Sequence, residues 1–205
     1  MKTYLNLLMN KQNLISNVIL SILFFYSFFL IGQAYIQGLD IGNWIWDRHQ
    51  NLFSWYSRPL FIIPACYFAY HHKLWHTGAW MALMFASLFW FSAPQQVSES
   101  VQAYLEWENK LFFNGDSIVP LVVLIAGVLA FLFGLFYAFY RRNMWYGLLV
   151  FNIGTLLKIF VSLTWGKETG VTAIVPSLSS MLFINIVAWL LWKRTKKKKF
   201  EKKSN

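Results

Sequence analysis

A single cysteine, Cys66, stands among 205 residues. It excludes an intramolecular disulfide, a CxxC redox pair and a zinc site built on two or more thiolates. Acidic side chains are scarce too, 8 against 18 Lys and Arg. Charged residues of both signs make up 13% of the chain, about half the share of about 25% found in soluble domains. Low charge beside 58% hydrophobic residues excludes intrinsic disorder. The 20% share of aromatics is more than a water-soluble domain of this length can bury, so a soluble globular enzyme is excluded as well. The chain also lacks a GxSxG elbow, an HExxH pair, a Walker A loop and a dinucleotide glycine pattern. No repeat recurs at a period of about 20–50 residues.

What the chain does have is a series of long apolar runs. A helix needs about 20 mostly apolar residues to cross about 30 Å of hydrocarbon. Runs at 14–36, 51–70, 77–93, 117–140, 144–165 and 171–192 approach that length. They are continuous rather than alternating, which points to helices and not barrel strands. The expected fold is all-α: a polytopic membrane helix bundle of six transmembrane helices. It forms one transmembrane domain over 1–192, followed by a polybasic tail over 193–205. The first run is too long for the apolar core of a signal peptide.

The basic residues set the expected orientation. With both termini in the cytoplasm, Lys2, Lys11, Lys73, Arg141, Arg142 and the basic residues of the tail lie inside, 13 of the 18 in all. Seven of the 8 acids (Asp40, Asp47, Glu99, Glu106, Glu108, Asp116 and Glu168) then lie outside, with Glu201 the exception. The tail is expected to contact anionic lipid headgroups, at about 1 kcal/mol per basic residue. No nucleic-acid partner is expected, because nothing folded accompanies the basic run.

Between the third and fourth runs, Val101, Tyr104, Leu105, Leu111 and Phe112 recur at helical spacing. Glu99, Gln102, Glu106 and Asn109 face elsewhere. This predicts an amphipathic helix in the third, outer loop, packed at the interface or folded over a cavity. Asn114-Gly115-Asp116-Ser117 reads as a turn feeding a helix N-cap. In the fourth run Ala126, Ala130, Gly134 and Ala138 make a small-residue stripe suited to a helix–helix contact inside the monomer.

Ionisable residues inside apolar runs are functional candidates. Arg58 precedes Pro59 in the second run. Lys158 lies in the fifth, on one face with Asn152, Thr155 and Ser162. Two cations at similar depth suggest an outward-facing pocket for a carboxylate or phosphate. The expected ligand-binding set is Arg58, Lys158, Asn152, Thr155 and Asn185, with Trp90 and Trp107 stacking or gating. The bland alternative pairs the two cations with Glu106, Glu108, Asp116 or Asp47, or lets them snorkel to headgroups. For Asn185, as for Asn17 and Ser21, interhelical hydrogen bonding is the default. His72 and His76 have a metal-compatible i, i+4 spacing, but no Cys, Asp or Glu is near in sequence. They are expected at headgroup level beside Lys73 and Trp75, with no metal and no cofactor.

The stretch Phe89-Trp90-Phe91-Ser92-Ala93-Pro94 followed by Tyr104-Leu105-Glu106-Trp107-Glu108, and the stretch Trp55-Tyr56-Ser57-Arg58-Pro59-Leu60-Phe61, resemble a pattern in small, uncharacterised multi-pass bacterial membrane proteins. The resemblance covers roughly a third of the chain. It implies a bacterial inner-membrane location and no particular activity. The ending Lys202-Lys203-Ser204-Asn205 resembles the dilysine retrieval signal of endoplasmic-reticulum proteins, a match that a lysine-rich tail produces by chance. Three functional classes follow: binding or transport of a small anionic or amphipathic solute, a membrane-embedded enzyme on a lipid or quinone-like substrate, and a non-catalytic accessory subunit of a membrane complex.

Overall fold

The computed structural model describes residues 2–113 and 118–204. The expected turn at Asn114-Gly115-Asp116-Ser117 lies outside them, as does Asp116. Every regular element among the described residues is helical. The α-helices are α1 (Lys2–Ile36), α2 (Ile41–His49), α3 (Leu52–Ser57), α4 (Pro59–Tyr70), α5 (Leu74–Ala86), α6 (Glu99–Phe113), α7 (Val119–Tyr140), α8 (Met144–Gly166) and α9 (Ile174–Ser204). Short 3₁₀ helices occupy Ser87–Phe89 and Lys167–Ala173. The chain forms two compact units, Met1–Val97 and Ser98–Asn205.

Among the described residues three helical stretches, not six, are long and apolar enough to cross a membrane: Gln12–Ile36, Val119–Tyr140 and Met144–Arg194. The run at 51–70 fails because its backbone is broken. Pro59 has no N–H to donate to the carbonyl four residues back, and its ring crowds that turn. The chain restarts with Phe61 N–H donating to Arg58 O at 3.1 Å. Pro64 removes a second donor inside α4. At 12 residues, α4 extends only about 18 Å. The run at 77–93 fails by length: the helical part is Leu74–Phe89, about 24 Å.

The runs at 144–165 and 171–192 fall together in the third stretch, which is folded in two. Lys167 sits at φ +50°, and the 3₁₀ turn lies directly on α8. A Cβ at Gly170 would overlap the Ser162 carbonyl, so only glycine fits. From there α9 runs antiparallel to α8. Trp145 meets Trp192, and seven residues on, Asn152 meets Asn185, seven residues back.

In the first unit, α4 and α5 form a hairpin along α1. Tyr67 donates to Gln12 Oε1, His76 bonds Asn17 Oδ1 at 2.9 Å and Trp80 Nε1 donates to Ser16 Oγ at 3.0 Å. At the other end Trp90 Nε1 donates to Ser27 Oγ at 2.9 Å. Indole–hydroxyl bonds of this kind hold helices together where apolar burial gives no preference for protein over lipid. The outer face of α1 exposes Phe25 at 74% and Phe28 at 69%, a surface that water does not tolerate as a continuous strip.

In the second unit, phenylalanine rings fill glycine sockets. A Cβ at Gly147 would overlap the Phe139 ring, and one at Gly154 the Phe131 ring. Of the small-residue stripe, Ala138 is buried and Gly134 faces Val150 of α8, as a contact within the chain requires. Ala126 and Ala130 are exposed. The amphipathic reading of α6 holds for Val101, Tyr104 and Leu105, which are all buried. They pack on the Lys167–Ala173 turn, where Thr172 Oγ1 donates to Ser100 O at 3.1 Å. Gly154→Ala is therefore expected to cost about 1–3 kcal/mol, as overpacked cores do. The cost should be partly recovered by Phe131→Leu in the same chain. Thermal unfolding in detergent reads both, and an unshifted midpoint for the single variant would contradict the socket.

Candidate functional site

Two side-chain caps fix the end of the first unit where Arg58 lies. Asp40 caps α2 by accepting from Asn43 N–H at 2.8 Å. Asn51 caps α3 by accepting from Phe53 N–H at 2.9 Å. The other side of the Asn51 amide donates to Ser92 O at 2.9 Å, which ties α3 to the segment following α5. These caps put His49 at the end of α2 and Arg58 at the end of α3, nine residues apart and facing each other.

Arg58 Nη2 lies 2.7 Å from His49 Nδ1 and donates to Ser54 Oγ at 3.3 Å. An arginine can only donate, so His49 is the acceptor. Its ring must then be neutral, with its proton on Nε2. Ser54 is fully buried. The imidazole lies against Trp46 and Trp55, with ring centroids 5.7 Å and 5.9 Å away. Trp55 Nε1 donates to His49 O at 3.0 Å. The neighbouring Arg48 has its own partners. Its Nε donates to Phe89 O at 2.6 Å, and its guanidinium lies 4.7 Å from the Trp44 ring centre. Burial lowers the Arg48 pKa, with Tyr26 acting the other way, but arginine stays charged across the working pH range. Arg48 is thus held by Phe89 and Trp44, and Arg58 by His49 and Ser54. Such a setting strengthens any charge-assisted bond to a carboxylate or phosphate.

The expected ligand residues are divided between the two units. Arg58 and Trp90 belong to the first unit and are linked through Phe61, whose ring meets Trp90 edge-on at 5.3 Å. Trp90 itself is engaged with Ser27 and with Tyr26, whose hydroxyl donates to Trp90 O at 2.9 Å. Lys158, Asn152, Thr155, Asn185 and Trp107 belong to the second unit. Asn152 and Asn185 exchange side-chain hydrogen bonds of 3.2 Å and 2.8 Å. Each also donates at 2.7 Å to the carbonyl four residues back, of Leu148 and Met181. Both amide N–H pairs are therefore spent on the protein. Thr155 Oγ1 donates to Phe151 O at 2.9 Å. Lys158 is exposed on α8. Trp107 packs with Tyr104 at 5.4 Å and lies against Gly166. Glu106 is exposed and accepts from Gln102 Nε2 at 3.1 Å, while Glu108 is half-buried.

His49, Ser54 and Arg48 are the site residues that sequence reasoning missed. The available signal was the density of Trp, His and Arg from Trp44 to Arg58, which spans two short helices with no shared periodicity. His76 is explained by other means: its ring stacks on Phe68 at 4.6 Å and its Nε2 is bound to Asn17. No family model, curated protein or solved structure matches the chain.

The paired amides are a test of the second unit. Truncating one partner leaves the other with an unmet acceptor and donor, whereas removing both leaves none. A double-mutant cycle of Asn152→Leu and Asn185→Leu is expected to show a coupling of about 0.6–1.7 kcal/mol. Additive effects would mean that the amides do not act as a pair.

Proposed function

We propose that this chain is a multi-pass membrane protein of the bacterial inner membrane, with both termini cytoplasmic. In this reading it binds or transports a small anionic or amphipathic solute at the outer end of its first unit. The observation that carries the reading is the Arg58–His49–Ser54 cluster, with Trp46 and Trp55 against its histidine. A guanidinium grips a carboxylate or phosphate with two parallel bonds. The indole faces receive an apolar body. The ionisable group at a break between two helices matches the general pattern in which irregular backbone at membrane depth lines a site.

Several further elements belong to this reading. The α4–α5 hairpin enters the bilayer beside α1, since the bonds of the hairpin and of the segment after it run from Gln12 to Ser27 of that helix. Each arm of the α8–α9 hairpin crosses, α8 being 23 residues long. The tail from Lys193 onward contacts anionic headgroups.

The test is ligand-induced stabilisation of the purified protein by a panel of small carboxylates and phosphates. A ligand at about 100 times its dissociation constant stabilises by about 2.7 kcal/mol. The wild type is expected to respond to at least one member. Arg58→Lys should weaken the response about tenfold or more, since lysine cannot bond bidentately, and Arg58→Met should abolish it. A panel without effect on the wild type, or an undiminished response in Arg58→Met, contradicts the proposal.

A further inference from the structure

The chain reverses twice in the same way. After α4, His71 N–H donates to Tyr67 O at 3.2 Å, His72 N–H to Ala69 O at 2.9 Å and Lys73 N–H to Phe68 O at 2.8 Å. After α7, Arg141 N–H donates to Tyr137 O at 2.8 Å, Arg142 N–H to Phe139 O at 2.8 Å and Asn143 N–H to Ala138 O at 3.0 Å. Donors and acceptors correspond one to one. The left-handed residue falls at the same place, with φ +58° at His72 and φ +57° at Arg142. The sequences follow the backbone. Tyr67, Tyr70 and Trp75 stand where Tyr137, Tyr140 and Trp145 stand 70 positions on, and His71-His72 where Arg141-Arg142 stand.

A left-handed position closing a helix is usually glycine, because a Cβ is strained there. Here both turns carry a basic-type side chain at that position instead. Strain kept twice, at equivalent positions, points to a use for the side chain. The surroundings indicate which use. Neither turn has an Asp or Glu between the first tyrosine and the tryptophan. Trp75 is 81% exposed and Trp145 58%. The second turn is reinforced from α9, where Trp192 meets Trp145 edge-on at 5.9 Å and Lys193 Nζ lies 5.1 Å from the Trp189 ring centre. Exposed indoles beside cations suit one environment, the boundary between hydrocarbon and anionic headgroups.

We propose that the two turns are copies of one headgroup-binding element. Each receives the phosphate of an anionic phospholipid from the cytoplasmic leaflet. Arg141 and Arg142, or His71, His72 and Lys73, hold the phosphate, and Trp145 or Trp75 seats at the hydrocarbon edge. This role is separate from the solute site and does not depend on it.

The experiment uses the full chain in bilayers of phosphatidylcholine with phosphatidylglycerol. The basic residues from Lys193 to Lys203 are replaced by Gln in every sample, so that the tail does not contribute. Spin-labelled lipids report the preference of the protein-contacting shell for phosphatidylglycerol over phosphatidylcholine. Arg141→Gln with Arg142→Gly, and His72→Gly with Lys73→Gln, are compared with the parent. Because glycine relieves the left-handed strain, both variants are expected to fold, with an unchanged or higher thermal midpoint. The preference for phosphatidylglycerol is expected to fall about fivefold for each arginine removed, and measurably for the histidine–lysine turn. Inorganic phosphate at 10 mM should leave the preference unchanged, since the site takes a lipid. An unchanged preference in both variants overturns the proposal. A loss at one turn only overturns the duplication, and competition by free phosphate overturns the lipid as occupant.

Discussion

A polar group placed in hydrocarbon has no water to bond, so the chain must satisfy it. That constraint organises both units. Hydroxyls in the long helices return to carbonyls of their own helix, as Ser27 does to Leu23 at 2.8 Å and Ser180 to Pro176 at 2.7 Å. Indole N–H groups bridge to serines of another helix, and the two asparagines bond each other. Contacts between helices then rest on a few directed bonds and on close fit, because lipid solvates leucine as well as protein does. The phenylalanine rings seated on Gly147 and Gly154 are the close-fit counterpart of the polar pairs.

The same constraint explains where irregular backbone is found. Pro59 and Pro64 free carbonyls in the middle of an apolar run, and the chain is interrupted there rather than continuing as one span. The interruption places Arg58, His49 and Ser54 together, which no continuous helix could do with residues nine positions apart. The concentration of tryptophan around them supplies ring faces and N–H donors that hold the interruption in one geometry. A structural necessity, closing a broken helix, and the proposed solute site coincide in one cluster.

Helical class and the long stretches of α1, α7, α8 and α9 were legible in the residues, because hydropathy summed over about 20 positions is decisive. The amphipathic α6 was legible from its spacing. The fate of the run at 51–70 was not: hydropathy counts side chains, whereas the break at Arg58–Pro59 is an event of the backbone. The polar stripe Asn152–Thr155–Lys158 shows the second limit. Spacing on one helix tells which residues share a face, but not what lies opposite. Asn185 occupies Asn152, and Thr155 is satisfied by its own helix. Arg58 lies against His49 of α2 as well as Ser54 of α3. The duplication of the turns is hard to read in the sequence, because the correspondence lies 70 positions apart and rests on a handful of residues. It is the backbone that makes them unmistakable.

The central claim is that the α4–α5 hairpin follows α1 through the bilayer, so that its turn lies on the side proposed for the N-terminus. Sided labelling of single cysteines measures this directly. Cys66 is buried and is replaced by Ala, and a membrane-impermeant maleimide is applied to intact and to permeabilised cells. Ser98→Cys is expected to react in intact cells, and His71→Cys and Asn143→Cys only after permeabilisation. Reaction of His71→Cys in intact cells would place the hairpin turn on the outer side and contradict the account.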